Sequence, residues 1–130
     1  MQISKFSTKN KYKNFFAQEY FRSSLVQWVI IGALFLNVVN WVLIAFFNRP
    51  VDFPIILHYN VYFGVDVIGA WWQVYSLPAI GLAILLVNTT LGYSFYCQKE
   101  RIIAHLLMLG TFIVQIIMTI AVASLLTINY

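Results

Sequence analysis

His58 and Asp66 lie close together in the run His58-Tyr59-Asn60-Val61-Tyr62-Phe63-Gly64-Val65-Asp66-Val67. An imidazole near a carboxylate can pass a proton, ligate a metal or grip a polar ligand. Each use makes a further demand. Group-transfer chemistry needs a nucleophile and a device for the developing charge, and neither is identifiable beside this pair, so no catalytic residue is assigned. A protein metal site usually draws on three or four ligands; two candidates are too few, and no metal or other cofactor is expected. The run therefore points to a partner- or ligand-binding face formed by His58, Asn60, Tyr62 and Asp66. The plainer alternative is a packed cap whose polar groups bond to backbone and water.

The spacing of these residues suggests how they would be presented. Tyr59, Val61, Phe63, Val65 and Val67 alternate with His58, Asn60, Tyr62, Gly64 and Asp66. Period-two alternation of β-branched and aromatic residues is a strand signal. A lone strand leaves its backbone unsatisfied at a membrane surface, so it would have to pair with a returning segment, another copy or a partner. In a helix, His58, Tyr62 and Asp66 would also share one face. Gly64 and Gly69 are expected at bends or close contacts.

The elements that must position this run are apolar. Of 130 residues, 62% are hydrophobic and 9% charged. A soluble domain is nearer half apolar and a quarter charged, and so short a chain cannot cover this much apolar surface by itself. Runs at 25–47, 77–96 and 102–126 are each long enough to cross a bilayer as a helix. The fold class expected is an all-α membrane protein with three transmembrane helices, an interfacial N-terminal helix and a structured outer loop. The first run lacks a small-residue cleavage site and is expected to stay as an anchor. Ser76 is placed to cap the second helix and Pro78 falls in its first turn.

Between and around the three runs, residues 1–24 form a basic, aromatic segment, 48–76 the outer loop, 97–101 a cytoplasmic turn and 127–130 an outer tail. In residues 1–24, Tyr12, Phe15, Phe16 and Tyr20 recur at helical spacing, which suits a helix lying among headgroups. The stretch 53–75 is apolar enough to suggest a fourth span. That span would bury His58, Asn60 and Asp66 near mid-membrane and would move Lys99 and Arg101 outside.

Charge sets the expected orientation. Lys5, Lys9, Lys11, Lys13, Arg22, Lys99 and Arg101 fall on one side of the three spans and Arg49 on the other. The positive-inside rule then puts the N terminus in the cytoplasm and the C terminus outside. The basic N-terminal residues read as a membrane-side anchor, so nucleic acid is not an expected partner. The single cysteine, Cys97, permits no internal disulfide.

Several amides fall inside the apolar runs. Asn37 and Asn40 are on the first, Asn88 on the second, and Thr111, Gln115 and Thr119 repeat every four residues on the third. Amides in lipid seek partners across helices, so Asn37, Asn40, Asn88 and Gln115 are expected to make intramembrane polar contacts, with one another or with a second subunit. Ala79 and Ala83, with Gly81 between them, form a small-residue pattern that permits close helix approach. His105, about one turn into the third run, is expected to snorkel or bond locally in preference to relaying protons.

The run Leu57 to Asp66, with Ile68-Gly69 and Trp71-Trp72 after it, resembles short stretches in small uncharacterised bacterial membrane proteins. The resemblance covers some 15 of the 130 residues. It implies a bacterial inner membrane and no particular activity. Three helices make a thin bundle, and its exposed loop and amide stripes suggest more contacts than one copy supplies. The function expected is that of a small interaction protein: an accessory or assembly subunit bound to a larger membrane protein, or a homo-oligomeric scaffold. A small oligomeric transporter or channel, and a membrane-embedded enzyme with an outer-face site, are the alternatives.

Overall fold

In the computed structural model the described residues are 19–129, so Tyr12, Phe15 and Phe16 of the expected interfacial helix lie outside them. Three helices dominate: α1 (Ser24–Phe47), α2 (Ser76–Cys97) and α3 (Arg101–Ile128). All three are long and apolar enough to cross a membrane. Their exposed positions are held by large apolar side chains such as Trp28, Phe35, Ile102 and Ile117. Between α1 and α2 lie two antiparallel strands, β1 (Ile55–Asn60) and β2 (Gly64–Gly69), and a 3-10 turn (Trp71–Tyr75).

The turn corrects the expected start of α2. Ser76 makes no side-chain cap. Its own N–H bonds back to the carbonyls of Gln73 and Val74, so the turn feeds straight into the helix. One step earlier, the Gln73 side chain accepts the Ala70 N–H at 2.9 Å.

At the other end of α2 the chain reverses in a Schellman closure. Glu100 N–H bonds the Phe95 carbonyl at 2.9 Å, and Lys99 N–H bonds that of Tyr96 at 3.1 Å. Lys99 takes the left-handed conformation, φ 66°, where glycine is the usual occupant.

The chain divides into two compact units, one of residues 1–33 and 84–112, the other of 34–83 and 113–130. In the first, Tyr20 is wholly buried with Val26, Val29, Tyr96, Ala104 and Met108. Its hydroxyl donates to the Thr89 carbonyl at 3.2 Å, and its ring lies 5.5 Å from that of Tyr96. A side chain at residue 92 would run into the Tyr20 hydroxyl, so Gly92 makes room for it. Tyr20 is thus a core residue, not part of a headgroup-facing stripe. Nearby, Arg101 pairs with Glu19 at 3.2 Å and lies over the Tyr96 ring. His105 bonds locally: Nδ1 donates to the Arg101 carbonyl at 2.7 Å, which leaves Nε2 facing the Ser23 hydroxyl. Asn88 donates to Thr111 Oγ1 at 2.9 Å.

The second unit is held by amides. Asn37 donates to the Pro78 carbonyl at 2.9 Å and to Gln115 Oε1 at 3.3 Å, and it accepts from Trp41 Nε1 at 3.0 Å. Gln115 donates to the Gly81 carbonyl at 2.7 Å. Asn40 donates to Thr119 Oγ1 at 3.2 Å, while its buried Oδ1 has no partner among the described residues. The close approach on α2 is at Gly81, which is buried; Ala79 and Ala83 are exposed. An apolar cluster of Ile44, Ile55, Val74, Val122 and Leu125 completes this unit.

Two outcomes follow. Gln115→Leu leaves the Asn37 amide and the Gly81 carbonyl short of a partner, and should cost about 1–2 kcal/mol in reversible unfolding from lipid or detergent. The second concerns pH. Burial pushes the Tyr20 phenol up to about 12 from 10.0. The folded chain therefore holds that proton more tightly than the unfolded one. Its contribution to stability is complete below pH 10 and is lost as pH rises towards 12. Ultraviolet titration should show late-titrating tyrosine, reduced by one residue in Tyr20→Phe.

Candidate functional site

The run singled out in the sequence forms a hairpin, and the reversal falls inside it. Asn60 Oδ1 accepts the Tyr62 N–H at 2.9 Å, which bends the chain after β1. Gly64 opens β2 with φ +79°, a conformation that costs glycine little. The pairing runs Ile55 to Gly69, Ile56 to Ile68, Tyr59 to Val65 and Asn60 to Gly64, with an irregularity around His58, which pairs with Val67.

The turn divides the expected polar row. His58 and Asp66 do meet: Nδ1 donates to Oδ2 at 3.0 Å across the strands. Asn60 is spent on the turn, and Tyr62 sits at its tip. The expected four-residue polar face is therefore a pair plus a turn. The His58 side chain is 62% exposed and that of Asp66 31%, so the pair is solvated and worth about 0–1 kcal/mol to the hairpin. Among the described residues, no group of three or more His, Cys, Asp and Glu side chains is placed to hold a metal ion.

The tip is apolar and open. Val61, Tyr62 and Phe63 are 86%, 91% and 83% exposed. By contrast the base of the hairpin is fixed. Ile55 is buried in the cluster with Val74 and Leu125, and Asn48 donates to the Trp71 carbonyl at 2.7 Å. Asn129 makes the firmest link. Its Oδ1 accepts the Ile56 N–H at 2.8 Å and its Nδ2 donates to the Ile56 carbonyl at 2.7 Å. A side-chain amide so placed mimics the backbone of a neighbouring strand and closes the outer edge of β1 at that residue.

Beside this base lies a groove of about 620 Å³, walled by Trp41, Leu57, Trp72, Tyr75 and Leu77. A cleft of about 290 Å³ is lined by Arg49 together with Phe47, Phe53 and Leu126. These walls suit apolar matter and offer no acid–base pair.

The residues expected to make intramembrane polar contacts fall in both units. Asn37, Asn40 and Gln115 are buried in the second unit; Asn88 belongs to the first. Sequence reasoning missed Asn129, Asn48 and Gln73. An amide just past an apolar run reads as a helix C-terminal residue, and nothing in its spacing points 73 residues back to Ile56. The reversal at Asn60 and Gly64 did leave a signal, an Asn and a Gly flanking three residues, which the regular alternation masked.

No family model, curated protein or solved structure matches the chain.

Asn129→Ala should release the edge of β1. The Ile56 amide would then exchange with deuterium about tenfold faster, as expected for a lost pair of hydrogen bonds worth about 1–2 kcal/mol. Asn129→Asp, which keeps the acceptor for the Ile56 N–H and loses the donor, should fall between the two.

Proposed function

We propose that this chain is a multi-pass protein of a bacterial inner membrane, N terminus in the cytoplasm and C terminus outside. It acts as an interaction protein, an accessory subunit or scaffold, with residues 55–69 as its recognition element. The membrane reading is supported by three helices of sufficient length and apolarity, whose exposed positions carry large apolar side chains. The orientation is supported by the seven-to-one division of Lys and Arg. The bacterial inner membrane rests on the resemblance of residues 57–72.

One observation carries the functional reading. The hairpin is fastened at its base by Asn129, Asn48 and Ile55, while Val61, Tyr62 and Phe63 at its tip cover nothing. A turn needs only small or polar residues. Aromatic side chains presented on a fastened turn are the composition of a binding anchor, since Tyr and similar residues supply large contact area with few rotatable bonds. A permeation path has less support, because Asn37 and Gln115 are bonded to each other and to helix carbonyls. An outer-face enzyme would rest on His58 and Asp66 alone.

A photo-reactive amino acid at position 62, irradiated in native membranes, should give a discrete protein adduct. The same residue at position 106, on the exposed apolar side of α3, should not. Combined Tyr62→Ala and Phe63→Ala should lower recovery of the partner about tenfold or more. Absence of any protein adduct at positions 61–63 would sink the interaction reading.

A further inference from the structure

Arg49 is the only Lys or Arg in residues 23–98. It stands two positions past Phe47, the last residue of α1, and is exposed. Among the described residues the ion pairs are Arg101 with Glu19 and His58 with Asp66, so no carboxylate neutralises Arg49. Arg101 also stands at the end of a helix, but its guanidinium is engaged by Glu19 and lies over the Tyr96 ring. The charge of Arg49 is left for something outside the chain.

That charge borders a formed apolar cleft. Arg49 lines the cleft of about 290 Å³ together with Val51, Phe53, Leu125 and Leu126. The cleft's two side-chain amides are already used. Asn48 donates to the Trp71 carbonyl, and Asn129 holds both backbone groups of Ile56. The guanidinium, with five N–H donors, is the strongest donor left to a ligand. Phe53, on the apolar side, is 66% exposed. The cleft therefore asks for an anion joined to hydrocarbon. A free anion would leave the apolar walls uncovered, and a bare hydrocarbon would leave the guanidinium unpaired.

We propose that this cleft binds an anionic phospholipid, its phosphate on Arg49 and the first methylenes of one acyl chain against Phe53 and Leu126. The inference rests on the membrane reading of the three helices and is independent of the recognition role of residues 55–69. The cleft's depth follows from the helices themselves. Phe47 ends α1, and Leu125 and Leu126 lie in the last turn of α3. A cleft between those ends sits where spanning helices leave the hydrocarbon, which is the level of lipid phosphates. Arginine suits that ligand, because its planar fork grips phosphate with two parallel bonds. The volume is at the lower end of what encloses a drug-sized molecule. It therefore takes the part of a lipid next to the phosphate and leaves the rest of the chains in the bilayer.

The test uses the full chain in mild detergent, mixed with phosphatidylglycerol or phosphatidylcholine, with bound lipid counted by native mass spectrometry. One phosphatidylglycerol should be retained in preference to phosphatidylcholine. Arg49→Gln should lower its affinity about tenfold, as for a lost charge-assisted pair. Arg49→Lys, which keeps the charge and loses the fork, should fall between the two. Phe53→Ala, at an exposed position, should lower affinity several-fold with Arg49 intact. Arg22→Gln removes the same charge from an exposed residue before α1 and should change nothing. Exchange protection of the Ile56 amide should be the same in every variant, which shows that the fold around the cleft is kept. An equal loss in Arg22→Gln and Arg49→Gln, or no preference for phosphatidylglycerol, overturns the proposal. So does glycerol phosphate binding as tightly as the lipid, because the apolar walls would then be idle. Alkaline extraction of native membranes tests the membrane reading separately. Release of the chain sinks that reading and the lipid site with it, whereas a retained chain without selective lipid sinks the site alone.

Discussion

The side-chain amide of Gln115 is the interaction on which the unit of residues 34–83 and 113–130 depends. It is wholly buried, and an amide there without partners would cost about 1–3 kcal/mol. It bonds Asn37 on α1 and the Gly81 carbonyl on α2. The apolar contacts around it have no direction, whereas these bonds do. Turning α3 by one residue, about 100°, would carry Gln115 towards the face of Ile113, Ile116 and Ile117, all exposed. The amide thus fixes the rotation of α3. Within this unit, Gln115, Val122 and Leu125 then form one buried stripe along that helix. Asn129 lies about four turns beyond Gln115 and so points to the same side. Its grip on Ile56 follows from the rotation set by Gln115.

Much of this was legible in the sequence, because apolar run length and amide spacing are local properties. Three uninterrupted runs lead to three helices, and amides set within such runs, as Asn37 and Gln115 are, seek partners across helices. What the sequence obscured depends on distance along the chain. Tyr20 reads as one of four aromatics on a surface stripe; it is buried because Gly92, far along the chain, leaves space for its hydroxyl. Ala79 and Ala83 match a packing pattern, yet the approach falls on Gly81, which the Asn37 and Gln115 amides face.

The hairpin shows how a periodic signal can be right in kind and wrong in extent. Alternation from 58 to 67 describes both strands, because a tight reversal can preserve the parity of sides. His58 and Asp66 share a face under the straight-strand reading, and they share one in the hairpin, where the contact is across strands. What the alternation cannot contain is the turn. Asn60 and Tyr62 have the parity of a polar face but serve the reversal instead. Local chemistry, an Asx bond and a left-handed glycine, overrode the pattern there.

The same turn bears on what the loop is for. A reversal of this kind needs an Asn to bend the chain and a Gly to resume it, and both are present. The residues between are unconstrained by the turn, yet they are Val61, Tyr62 and Phe63, each more than four-fifths exposed. Folding gains nothing from their size within this chain. Burying an aromatic ring against another surface is worth about 2–3 kcal/mol. A sequence that is locally consistent almost everywhere departs from that consistency where function makes a demand. Here the departure is three large side chains on a turn whose base is fastened by Asn129. Such an arrangement gains free energy only by covering those side chains with something else, which is what the proposed recognition role would require of them.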